Sequence, residues 1–281
     1  MSLVPMSEIL IPARRGGYAV GAFEVWNLES VQAVVYAAEG LSQPIILQVG
    51  SYEADYAGLE DISHIAFFYA RRAKVPVAIH LDHGDTFERV MQCISCGFTS
   101  VMLDVSHSPY AENVAATKEV VRVAHACGVS VEGELGRIGG EEAGIDVTNE
   151  DTYLTNPVQA VEFVNETGID ALAVAIGTVH GFYKSRPNIR LGLLEEIAKR
   201  VSIPLVMHGG SGTPDADVSK AISLGIAKVN VCTEVVAAFA DTFVNEQKGQ
   251  DFRYNVPGVF TKPRAAAKKL IEEKIRLFAG L

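Results

Sequence analysis

The sequence predicts a single (β/α)8 barrel over residues 1–281, and three observations predict it. Short β-rich apolar runs alternate with amphipathic stretches of helical spacing from one end of the chain to the other. No linker or shift in composition interrupts the alternation. Polar residues gather just past the ends of the apolar runs, which is where a parallel barrel builds its active site. A doubly wound open sheet is the alternative, but it seldom needs eight such evenly spaced units.

The strands are expected at 18–23, 44–49, 77–81, 100–103, 129–134, 171–176, 205–208 and 228–231. Their nearly continuous apolar character fits strands covered on both faces. Helical spacing runs over 28–38, 62–72, 86–96, 113–127, 157–167, 191–200 and 214–224. Asn156-Pro157 supplies a cap followed by proline in the first turn. Gly97, Gly128, Gly168 and Gly225 each close a helix shortly before the next strand. A further helix opens after Asn230-Val-Cys-Thr-Glu234, and another ends the chain.

Composition bounds the function. With 48% hydrophobic and 21% charged residues the chain can bury a sizeable core. A net charge of −10 argues against nucleic-acid and anionic-membrane partners, but not against a small anionic substrate held by local donors. No apolar run reaches the length of a membrane span and no signal peptide is evident, so a cytoplasmic protein is expected. Cys93, Cys96, Cys127 and Cys232 lack paired metal spacing and read as reduced thiols.

The densest chemistry is His80-Leu-Asp-His-Gly-Asp85, directly after the apolar run 75–79. Alternation along a strand puts His80 and Asp82 on one side, while His83 and Asp85 fall at the strand exit. Titratable groups beside a dry core need a metal, a partner or a proton-transfer role. Reading every exit in turn gives Glu24, Gln48 to Ser51, Asp82 and His83, Asp104 and His107, Glu132 and Glu134, His180, His208, and Asn230. Of the seven histidines, His64 and His125 lie in helices and His80 inside a strand, and His107 suits a supporting role. His83, His180 and His208 remain, one past each of strands three, six and seven. Three imidazoles with one position open is the arrangement of a catalytic zinc.

Three exits suit a phosphate. His208-Gly-Gly-Ser-Gly-Thr-Pro214 runs into a helix start and includes Gly209, Gly210 and Ser211. Asn230 to Glu234 follows strand eight, and His180-Gly-Phe-Tyr-Lys184 adds a cation. Gly139-Gly-Glu-Glu-Ala-Gly144 reads either as a closing loop or as a solvated one.

Taken together these residues resemble the class II, zinc-dependent ketose-bisphosphate aldolases of the fructose- and tagatose-bisphosphate type. The resemblance covers nearly the whole chain. Its markers are His80-Leu-Asp-His83, Ser100-Val-Met-Leu-Asp104 with Ser106-His107, Val131-Glu-Gly-Glu-Leu-Gly136, Ala175-Ile-Gly-Thr-Val-His-Gly181, His208-Gly-Gly-Ser-Gly212 and Asn230-Val-Cys-Thr-Glu234. It implies that His83, His180 and His208 bind Zn2+, with Glu134 in an outer or alternative metal position. It implies that Asp82 is the acid/base at the C4 hydroxyl and that Glu142 exchanges the proton on the carbon nucleophile. Gly181, Lys184, Gly209, Gly210, Ser211, Asn230 and Thr233 would hold the dihydroxyacetone phosphate portion, with a monovalent cation nearby. Arg253 would reach a far phosphate. A homodimer or homotetramer acting on a small phosphorylated sugar is what the resemblance implies.

The chain also departs from that pattern. Glu24 stands where relatives usually carry Asn, Gly50 where many fructose-specific relatives carry Ser, and Cys232 where some carry Asp. The segment around Asp251-Phe-Arg253 differs as well. These changes leave the metal and near-phosphate apparatus intact and bear on the distal half of the substrate. Two other readings are a Schiff-base aldolase using Lys228 and a non-catalytic partner subunit that keeps the barrel without its chemistry.

Overall fold

The computed structural model describes residues 2–140, 153–183, 185–248 and 255–281. Eight parallel strands close a barrel: β1 (Val20–Glu24), β2 (Ile45–Gly50), β3 (Val77–Gly84), β4 (Ser100–Leu103), β5 (Ser130–Leu135), β6 (Ala171–Val174), β7 (Leu205–Met207) and β8 (Ile226–Val231). Each neighbours the next in sequence, and β1 pairs with β8 through Val20↔Lys228 and Ala22↔Asn230. The expected barrel is the observed one, and the open sheet is excluded by that closing pair.

The helices are α1 (Met6–Gly16), α2 (Leu28–Leu41), α3 (Ser51–Ala57), α4 (Leu59–Arg72), α5 (Phe87–Ser95), α6 (Tyr110–Ala126), α7 (Pro157–Thr167), α8 (Leu191–Arg200), α9 (Asp215–Ser223), α10 (Thr233–Glu246) and α11 (Val256–Ala279). Local chemistry sets their ends. Asn27 and Ser30 form a reciprocal capping box at α2, and Thr86 accepts from the Arg89 N–H at α5. Asn156 caps α7 with Pro157 in its first turn, as expected. The four closing glycines all adopt positive φ.

Strand alternation sorts the side chains into two cores. Phe23, Leu47, Ile79, Leu81, Val101, Val131 and their like point outward into one apolar cluster shared with the helices. The inward cluster is small: Val20, Ala22, Ile46, Ala78, Ala171, Ala173, Val206 and Ala227. Helix α1 closes that inner cluster with Met6, Ile9, Leu10 and Ala13, all buried. Nothing in the sequence reading anticipated α1. Pro12 interrupts the helical signal, yet it lies on the exposed side, where one lost helix bond is tolerated. Arg14 fixes the plug by donating to the carbonyls of Ala198, in the last turn of α8, and of Ile203 just beyond it.

Continuing the inward positions along the same strands replaces apolar groups with polar ones. Glu24, Gln48, His80, Asp82, Glu132, Glu134, His208, Lys228 and Asn230 are all buried. The barrel is therefore plugged and dry at one end and chemically active at the other. Its register puts Glu24 beside Gln48, Gln48 beside His80, and Gly50 beside Asp82. Among the described residues no helix is long and apolar enough to cross a membrane.

Candidate active site and metal centre

His83 should point outward by alternation, because Asp82 before it points inward. The backbone corrects this. Strand β3 shifts register between Leu81 and Gly84, and His83 takes φ 44°, a left-handed conformation rare outside glycine. The imidazole is thereby returned to the barrel axis. Its Nδ1 lies 2.7 Å from Asp104 Oδ2, and its Nε2 lies 2.9 Å from His208 Nδ1. Gly84 must be glycine here, since a Cβ would meet the Met102 carbonyl oxygen at 2.5 Å.

His208 is fully buried, and its Nε2 sits 2.8 Å from Glu132 Oε1. The other Glu132 oxygen accepts from Lys228 Nζ at 2.7 Å, with neither side chain exposed. His180 comes from a two-residue strand, Val179–His180, that pairs with Gly139–Gly140 outside the barrel sheet. The three rings meet at right-angled or near right-angled pitches, with centroids 4.7–5.8 Å apart. One ring nitrogen from each lies within 4.8 Å of the others.

The outer partners decide what this cluster fits. An imidazole that gives its outer N–H to a carboxylate presents a lone pair from its inner nitrogen. His83 is so held by Asp104 and His208 by Glu132, so with both rings neutral, as a bound cation would require, two lone pairs converge from 2.9 Å apart. Converging lone pairs fit a cation between them. Charge agrees. Burial would depress the His83 imidazole, but Asp82, Asp104 and Glu134 outweigh it and push it up to about 10. A field that favours positive charge so strongly at His83 favours a bound cation as well. Burial holds His208 well below its ordinary value, against the pull of Asp82, which leaves it in the neutral, ligating form. For Asp104, burial pushes upward, and the bonds from His83 and Ser106 more than reverse it, so it stays ionised.

Glu134 borders the same cluster. Its Oε1 accepts from the Ile138 N–H at 3.3 Å, and its Oε2 meets no donor among the described residues. Burial, then the charge of Asp104, pushes its carboxyl up to about 8 despite His83. His83, Asp104 and Glu134 also bring ligand atoms within 4.8 Å of one another, which suits the outer position expected for Glu134.

Asp82 is gripped on both oxygens. Gln48 Nε2 donates to Oδ2 at 2.7 Å and Asn230 Nδ2 to Oδ1 at 3.1 Å. The same Gln48 nitrogen donates to Glu24 Oε2 at 3.0 Å, and Glu24 Oε1 accepts the Gly50 N–H at 2.7 Å. Burial, then the charges of Glu53 and Asp82, raises the Glu24 carboxyl well above its ordinary value.

A small, partly open cleft is lined by Asp82 and His180 together with Gly181, Gly209, Ser211 and Thr233. Residues from all three candidate phosphate exits line this cleft: Gly181 from one, Gly209 and Ser211 from the second, Asn230 and Thr233 from the third. Ser211 Oγ accepts the Glu234 N–H at 3.2 Å, which turns its hydroxyl hydrogen elsewhere. The Gly210 N–H is already bonded to the Asn230 carbonyl at 2.9 Å, so Gly210 serves close approach of two exits. Gly209 takes φ 69°, and a Cβ there would lie 2.3 Å from the Val179 carbonyl oxygen. Gly209→Ala is therefore expected to cost on the order of 1–3 kcal/mol of stability and to raise KM, as read by thermal melting and turnover.

Glu142, Lys184 and Arg253 lie outside the described residues. His107 is exposed and offers its carbonyl to Arg137, so Asp104 and not His107 supports His83. Sequence reasoning also missed the Glu132–Lys228 pair. Alternation could have turned both inward, but their meeting joins strands that are not neighbours. Lys228, enclosed and ion-paired, is not placed as a Schiff-base nucleophile. His125 pairs with Asp170 at the surface, and the four cysteines form no disulfide.

Comparison with known proteins agrees with this geometry. A family model described as fructose-bisphosphate aldolase class-II matches residues 4–280. The D-tagatose-1,6-bisphosphate aldolase subunit GatY of Klebsiella oxytoca is 43% identical over 276 residues, covering 98% of this chain and 96% of that protein. A fructose-bisphosphate aldolase of Staphylococcus aureus is 44% identical over 282 residues, 99% of this chain and 98% of that one. The crystal structure of the YdjI aldolase from Escherichia coli superposes with a TM-score of 0.88 at 38% identity, covering 98% of this chain and 97% of that chain. That family implies a divalent metal, and the converging imidazoles are fitted to hold one. The chain belongs to the class II fructose-bisphosphate aldolase family, and it is an aldolase of the carbon–carbon lyase type.

Proposed function

We propose that this aldolase is zinc-dependent and reversibly cleaves a phosphorylated ketose to dihydroxyacetone phosphate and an aldehyde. The observation that carries this reading is the meeting of His83, His180 and His208 beside Asp82, at the mouth of a cleft walled by glycine exits. Nitrogen ligands in a three-imidazole set suit zinc. A complete donor set and a doubly gripped Asp82 favour a catalyst over a non-catalytic partner subunit.

Bound zinc would act as a Lewis acid, stabilising the negative charge that builds on the substrate carbonyl during cleavage. The protein supplies the rest. Gly181, Gly209, Ser211 and Thr233 bind the phosphate of the dihydroxyacetone phosphate half, with Lys184 adding charge. Asp82 takes the proton of the C4 hydroxyl while the C3–C4 bond breaks. The O–H electron pair becomes the aldehyde carbonyl, and the C3–C4 pair stays with the three-carbon fragment. Glu142 then delivers a proton to C3. Gln48 and Asn230 keep the Asp82 carboxylate aimed throughout.

Two measurements test this. Chelation should abolish cleavage, and stoichiometric zinc should restore it. Independently, the metal-loaded enzyme should exchange a C–H proton of dihydroxyacetone phosphate with solvent when no aldehyde is present. Full activity after complete zinc removal would exclude the reading.

A further inference from the structure

Among the lysines of α11, Lys274 stands apart. Lys268 and Lys269 lie nearer solvent and pair with Glu272 and Glu273 one turn on. Lys274 instead shares the helix face of Ala267, Ile271, Ile275 and Phe278, all buried, and is itself 8% exposed. Those apolar residues already seat α11 against the outer core. A lysine on such a face is rare unless it is paired. Its Nζ lies 2.7 Å from Glu234 Oε2, an oxygen shielded from solvent.

Glu234 follows Thr233 in the first turn of α10, and it holds the neighbouring exit at two points. Its Oε1 accepts the Gly212 N–H at 3.0 Å, and its own N–H donates to Ser211 Oγ at 3.2 Å. Ser211 and Thr233 both line the cleft, so Glu234 clips one candidate phosphate exit to another. The clip also leaves the Ser211 hydroxyl hydrogen to be given to an anion. It has a drawback: a carboxylate now stands beside a wall suited to a phosphate dianion. Like charges repel, and they are screened least where water is kept out. Lys274 brings the opposite charge from α11, of which no described residue lines the cleft.

Building on the aldolase reading and its phosphate wall, we propose that Glu234 and Lys274 are a pair of positioning residues for phosphate binding. Glu234 holds the turn at Ser211 and Gly212 against the Thr233 exit. Lys274 cancels the charge that this carboxylate would otherwise set against the phosphate. The pair acts through Ser211 and Thr233, so it governs affinity for the phosphorylated end of the substrate and not the proton transfers.

The test follows proton exchange into dihydroxyacetone phosphate by the zinc-loaded full chain, with inorganic phosphate as a competing anion. Lys274→Gln can still donate to Glu234 Oε2 but carries no charge. It should raise KM for dihydroxyacetone phosphate by about fivefold or more and leave kcat within about twofold. The inhibition constant of inorganic phosphate should rise by a like factor. Lys274→Arg should keep both constants near those of wild type. Adding Glu234→Gln to Lys274→Gln keeps an acceptor for the Gly212 N–H while removing the uncompensated carboxylate, and should restore most of the lost affinity. A packing role alone would lower the melting temperature and move neither constant. Should Lys274→Gln fail to fold, Lys274→Met, which suits the apolar face, reads the same two constants. Constants unmoved by loss of the lysine charge, or a double variant as weak as the single one, overturn the proposal. Wild-type exchange together with either of those results overturns this inference and keeps the aldolase reading, whereas absence of exchange overturns both.

Discussion

Truncating His208 to alanine should strip the metal from the purified protein and lower aldol cleavage by more than the ~10–100-fold that loss of an outer partner usually costs. The reason is that His208 links two layers of the site. Its Nδ1 faces His83 Nε2 at 2.9 Å, and its Nε2 reaches the buried Glu132 at 2.8 Å. Alanine removes one of three imidazoles and leaves Glu132 with Lys228 as its close partner. Elemental analysis of zinc per chain and a zinc titration under chelator competition would read the loss directly. Stoichiometric zinc retained by His208→Ala, with normal affinity, would move the metal site elsewhere. A contrast comes from Glu132→Gln, which can keep the bond to His208 while stripping Lys228 of its counter-charge. That variant should weaken folding more than a ligand change does, because an uncompensated buried charge costs about 3–5 kcal/mol.

Asp82→Asn should lower kcat for cleavage by about 10²–10⁴ while zinc remains bound. Asp82 lies closer to its own partners than to His83, a proposed metal ligand: His83 Nε2 is 3.8 Å away, whereas Gln48 and Asn230 lie at 2.7 and 3.1 Å. Asparagine cannot accept the C4 proton. It would also set an amide nitrogen against the nitrogen of Gln48 or Asn230, so at least one neighbouring amide must turn. Exchange of the dihydroxyacetone phosphate proton should persist, since that step belongs to the other half of the substrate. Comparing exchange with cleavage on one preparation checks the assignment. If the two fall together with full zinc occupancy, Asp82 has a role wider than the C4 hydroxyl.

Much of this site could be read along the chain because a barrel strand has a simple grammar. Side chains alternate, both faces are buried, and polar residues near a strand end stand out against an apolar run. That grammar exposes Glu24, Gln48, Asp82, Glu132, Glu134, His208 and Asn230 as inward groups at one rim. It also exposes the glycine exits, since those residues are chosen for backbone approach. Helix α1 was hidden because Pro12 breaks the pattern locally while sitting where the break is harmless. The pairing of Gly139–Gly140 with Val179–His180 was hidden because two residues carry no period.

Along the chain, then, the barrel and the end of it that gathers polar groups are legible, since each is a property of local pattern, and His83, His180 and His208 stand out as strand-exit candidates. Tertiary structure alone decided which groups touch. His83 reaches the axis only through a left-handed turn that violates alternation. Glu132 meets both Lys228 and His208 only across a closed barrel. Gln48 shares its amide nitrogen between Asp82 and Glu24, which come from two other strands. These are contacts between residues far apart in the chain. No local preference encodes them, because the free energy that selects them appears only after the strands have closed.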